Sequence, residues 1–108
     1  RRGTAISQDS RKALYQSTAG DLVKLQGSMQ NYGYYVAKRM FTLSDSTEIT
    51  AYGHPGGGGG YSSLLRYSPE LDLSISILAN STLSFQGKCG DYAPRSCIAS
   101  GIFDVYSQ

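Results

Sequence analysis

The only histidine of the chain, His54, stands in the stretch Y-G-H-P-G-G-G-G-G-Y-S-S, residues 52–63. An imidazole can donate, accept or carry a proton near neutral pH. Glycine has no Cβ, so a ligand can approach its backbone closely. His54 followed by Gly56, Gly57 and Gly58 could therefore form a wall of an active site. The plainer alternatives are a polar histidine at a sheet rim and a glycine-rich hairpin loop.

Other chemistries fit the stretch less well. A P-loop needs G-x-x-x-x-G-K-[ST], and no lysine follows these glycines. The G-x-G-x-x-G fingerprint requires glycine at 61 or 62, where Tyr61 and Ser62 stand. A domain linker would not sit between two strand-like segments, and usually mixes glycine with serine. Ser62 and Ser63 lack the G-x-S-x-G elbow. Cys89 and Cys97 flank a Gly/Asp/Pro-containing loop. They read as a local disulfide or as two free thiols; the bridge is the expectation, and with it an oxidising compartment, secreted or periplasmic. Two cysteines and one histidine match no zinc-site spacing, so no metal and no cofactor is expected.

Composition narrows the partners. The 108 residues are 40% hydrophobic and 17% charged, which suits a globular chain rather than a disordered one. Ten basic residues against eight acidic ones are scattered along the chain, with no stripe to follow a nucleic-acid backbone. No apolar run approaches the roughly 20 residues of a membrane span. The chain begins at Arg1, and is expected to be a processed chain or a portion of a longer polypeptide.

The elements that must position His54 are legible in outline. Residues 5–16 read as a helix, with Ser7 as N-cap and Asp9 in the first turn. Residues 17–31 read as a connection. Residues 32–43, 48–55, 61–67 and 72–80 read as four antiparallel strands, with turns at 44–47 and 68–71. In the last strand Leu73, Ile75, Ile77 and Ala79 form one apolar face, while Ser74, Ser76, Leu78 and Asn80 form a mixed one, which implies layers on both sides. Residues 81–94 read as a loop. Residues 95–108 read as a closing helix with an apolar stripe of Ile98, Ile102, Val105 and Tyr106. The expected fold class is α+β, an antiparallel sheet flanked by N- and C-terminal helices. Tyr32, Tyr34, Tyr35 and Tyr61 read as packing residues.

Taken in order, N-Y-G-Y-Y-V at 31–36 and Y-G-H-P-G-G-G-G-G-Y-S-S-L-L-R-Y-S-P-E-L-D-L-S-I-S-I-L-A-N-S at 52–81 resemble the C-terminal part of the β-lactamase-related serine hydrolases. That superfamily includes class C β-lactamases, D-alanyl-D-alanine carboxypeptidases and related esterases. The resemblance implies a β-lactamase/transpeptidase-like fold and an acyl-enzyme mechanism. In that family the serine of S-x-x-K attacks a carbonyl and a Y-x-N tyrosine assists proton transfer. A K-T-G or H-x-G strand lines the opposite wall. His54-Pro55-Gly56 matches this third element. By that likeness His54 supplies a donor or a charge beside the substrate carboxylate or the tyrosine. Gly57 offers its N–H to the oxyanion, and Gly56 and Gly58 let substrate lie along the strand. Pro55 departs from the usual small polar residue and lacks an N–H.

The chain contains no S-x-x-K and no Y-x-N. Tyr15-Gln-Ser17 and Ser44-Asp45-Ser46 resemble related motifs, but one lies on an expected helix and the other in an expected turn. The nucleophile, its lysine and the tyrosine are thus expected on a preceding segment or a separate chain, which becomes the principal partner. A small-molecule or peptide substrate and self-association through an uncovered sheet edge are also expected. The isolated chain is not expected to be catalytic. The alternative is a non-catalytic binding or assembly module built on the same scaffold.

Overall fold

The structure, a computed structural model, describes residues 5–19, 22–25, 28–81 and 94–108; at 22–25 and 28–30 it describes the backbone. It is an α+β chain with an antiparallel sheet and two α-helices. Two compact units divide it, Arg1–Arg39 and Met40–Gln108.

In the first unit α1 (Gln8–Gln16) begins where expected. The Ser7 side chain accepts from Ser10 N at 3.1 Å, and Asp9 stands in the first turn. A 3-10 turn, Ser17–Ala19, closes the helix, with Ser17 Oγ donating to Leu14 O and Thr18 Oγ1 to Tyr15 O. The expected connection at 17–31 instead contains β1 (Leu22–Leu25) and most of β2 (Ser28–Gly33), which pair antiparallel. Its polar and glycine residues hid the short apolar run Leu22–Leu25.

The single strand expected over 32–43 is two strands. β2 ends at Gly33, β3 runs Val36–Thr42, and Tyr34-Tyr35 turns between them. Both turn residues have positive φ, 38° and 60°. That is the backbone of a tight hairpin turn, a place usually taken by Asn-Gly. Two tyrosines at a strand's aromatic texture conceal it. Tyr34 and Tyr35 are 72% and 85% exposed, so they are not the packing residues expected.

In the second unit the end of β3 leads through a turn to β4 (Glu48–Gly58), β5 (Tyr61–Ser68) and β6 (Leu73–Ala79), paired antiparallel in chain order. Among the described residues six strands thus stand where four were expected. Asp45 accepts from Thr47 N at 2.9 Å in the 43–47 turn. Alternation sets two faces. Ile49, Ala51 and Pro55 of β4 share a buried face with Ser62, Leu64, Arg66 and Ser68 of β5 and Ile75 and Ile77 of β6. The apolar phase expected for β6 is the one observed.

α2 (Pro94–Tyr106) covers that face. Its buried residues are Pro94, Arg95, Ala99 and Phe103, with the Phe103 ring 5.1 Å from that of Phe41. This corrects the expected stripe. Ile98, Val105 and Tyr106 are exposed, and only Ile102 packs against the core. The helix is turned so that its large flat ring and its smallest side chain meet the sheet, with Arg95 one turn earlier on the same face. The other face of β4–β6 carries His54, Leu65 and Leu78. Leu65 is 58% and Leu78 84% exposed, so the second covering layer expected from β6 is not found among the described residues.

Candidate functional site

The glycine run is built into the sheet rather than hung between strands. β4 continues through Gly56, Gly57 and Gly58, which pair with Ser63, Ser62 and Tyr61. Only Gly59 and Gly60 form the turn, with φ of 58° and 87°. Two successive residues of positive φ fit a two-residue hairpin, and glycine adopts them at no steric cost. Gly56 has a different reason. A Cβ there would overlap the Ser63 hydroxyl across the strand pair. At Gly58 a Cβ would meet open space.

His54 stands opposite Leu65 on the exposed face and is itself exposed. Its Nδ1 bonds to the carbonyl oxygen of Pro55. A carbonyl only accepts, so in this contact Nδ1 is the donor. Pro55 is buried on the opposite face against Leu64, away from His54.

Three residues along β4, roughly 10 Å from His54, an open cleft of about 810 Å³ begins. It is lined by Gly57 and Gly58 of β4, by Tyr61, Ser62 and Ser63 of β5, and by Leu78, Ala79 and Asn80. Of the four residues singled out by sequence, Gly57 and Gly58 line this cleft and His54 and Gly56 do not. Tyr61, expected to pack, is 65% exposed at its edge.

Among the described residues the Ser62 hydroxyl is held by backbone, not by a base. The Ser62 hydroxyl donates to Ser81 O at 3.0 Å, and that of Ser63 faces Gly56. An activated nucleophile is held by a base within hydrogen-bond reach. Among the described residues no group of three or more His, Cys, Asp or Glu could hold a metal.

Arg95 is the positioning residue that sequence reasoning missed. It lies buried in the first turn of α2, and its Nη1 donates to Gly56 O at 2.7 Å and toward Ser63 O at 3.4 Å. One guanidinium thus ties the two strands together where the glycines begin. Burial pushes its pKa below the ordinary arginine value, a cost offset by these charge-assisted bonds. Only the fold joins residues 39 positions apart; an arginine after a proline carries no such signal. Cys97, two residues on, is disulfide-bonded, and Cys89 lies outside the described residues. No helix among the described residues is long and apolar enough to cross a membrane. No protein-family model, curated protein or solved structure matches the chain.

Proposed function

We propose that this chain is the C-terminal part of a serine acyl-transfer hydrolase acting on an amide, ester or β-lactam. Its role is the His-x-Gly strand and the oxyanion-side wall, while serine, lysine and tyrosine come from a preceding segment or chain. The observation that carries this reading is the arrangement of β4. His54 and the glycine end of the strand occupy the exposed side of a sheet whose other side is filled by α2. A partner segment seated on the exposed side meets His54 first and the Gly57–Gly58 end next. His54 donates to, or places a charge beside, the substrate or the tyrosine. Gly57 gives its N–H to the oxyanion. The usual contact at position 55 is lost, because Pro55 has no N–H and is buried on the opposite face from His54.

The test is the acylation rate of a longer polypeptide that joins this chain to a preceding S-x-x-K and Y-x-N segment. Gly57→Pro, which removes the N–H, is expected to slow acylation about 10²–10³-fold. An unchanged rate in a folded variant would contradict the reading.

A second reading, a non-catalytic docking module, draws on the same exposed face with Leu65 and Leu78. It differs in predicting no acylation in any longer polypeptide, and self-association of the 108-residue chain measurable by sedimentation.

A further inference from the structure

We infer that Asn80 is an N-glycosylation site, independent of any acyl-transfer role. Asn80-Ser81-Thr82 is N-x-[ST] with a residue other than proline in the middle, and the chain's only other asparagine, Asn31, is followed by Tyr32-Gly33. Transfer to asparagine requires this triplet on an accessible segment of a secreted chain. The structure supplies the exposure of Asn80, which stands in the bend one residue beyond the end of β6. The backbone beside it is held, because Ser81 O accepts from the Ser62 hydroxyl. Cys97 is disulfide-bonded, which points to an oxidising compartment, where the transfer also takes place.

The donor is an oligosaccharide linked through its anomeric carbon to a lipid diphosphate. The Asn80 side-chain nitrogen forms a bond to that carbon, and the bond from the carbon to the diphosphate oxygen breaks. The amide nitrogen loses one proton, and the lipid diphosphate leaves with the bonding pair. No oxidant or reductant is required. The product places a hydrated sugar at the rim of the 57–80 cleft and just beyond the end of β6. A bulky polar group there hinders strand-to-strand association at that end of β6.

The test is secretion of the 108-residue chain from eukaryotic cells behind a cleavable signal, followed by peptide mass mapping without reduction. A glycan-releasing amidase converts a glycosylated Asn80 amide to a carboxylate, which is read as a mass increment on its peptide. Occupancy is expected in the parent chain and in Thr82→Ser, and complete loss in Thr82→Ala. The substitutions leave Asn80 itself in place, and Thr82→Ser keeps the triplet, so it separates loss of the acceptor signal from a mere change at position 82. An unmodified Asn80 in parent chain whose Cys97 is bridged would overturn the inference. So would persistent modification in Thr82→Ala.

Discussion

Arg95 and Gly56 form one device seen from two sides. The carbonyl of Gly56 accepts from the buried guanidinium, and its missing Cβ leaves room for the Ser63 hydroxyl. Arg95→Ala is expected to destabilise the chain by about 1.5–3 kcal/mol, the worth of a hydrogen bond to a charged group. Urea titration measures this, and Arg95→Lys should recover only part because one ammonium cannot reproduce the planar fork. Gly56→Ala should cost about 1–3 kcal/mol by overpacking. Combined with Ser63→Ala, which removes the clashing hydroxyl, the loss should shrink, a coupling that a double-mutant cycle reads directly. Tyr35 is a separate case. Its left-handed backbone costs about 1–2 kcal/mol for a non-glycine residue. Tyr35→Gly removes that strain and adds unfolded-state entropy of about 0.5–1 kcal/mol, so the unfolding free energy should rise by up to about 1.5 kcal/mol. Asp45 adds a pH signature. The Thr47 amide and hydroxyl hold its carboxyl below the usual value. Its contribution to the 43–47 turn is therefore complete above about pH 4, the unfolded value. It is lost as pH falls through the lower folded value, and the Thr47 amide shift should follow that titration.

At the scale of elements, α2 separates what periodicity can reveal from what packing decides. Its existence and limits were legible: the expected 95–108 and the observed Pro94–Tyr106 nearly coincide. Its buried face was not, because Ile98, Ile102, Val105 and Tyr106 offer as good a stripe as Ala99 and Phe103. The choice is made by the contact of Phe103 with Phe41, 62 residues earlier, and by the reach of Arg95 to Gly56. Phe103→Ala is therefore expected to cost about 3–5 kcal/mol, whereas Val105→Ala on the exposed side should stay within about 0.5 kcal/mol. Equal losses at both positions, measured by denaturant unfolding, would contradict the observed rotation. β6 shows the opposite outcome: strict alternation of Leu73, Ile75 and Ile77 with serines has one solution, and the structure adopts it. The β2–β3 turn was hidden because turn chemistry is recognised by Gly and Asn, and here two tyrosines take the strained positions.

For the whole molecule, the candidate site was legible in residue type and only partly in extent. His54 and Gly57 stand on one strand as its spacing requires, yet the cleft begins past His54 and takes in Tyr61, Ser62, Ser63 and Asn80, residues that belong to no catalytic motif. Its position depends on how β4 outlasts its first glycines and where the hairpin closes, and that is set by pairing with β5. We propose that this chain supplies a wall and no nucleophile. The direct measurement is peptide mapping after exposure of the 108-residue chain to a fluorophosphonate. No adduct on any of its serines is the predicted result. A stoichiometric adduct on Ser62 or Ser63 would contradict it.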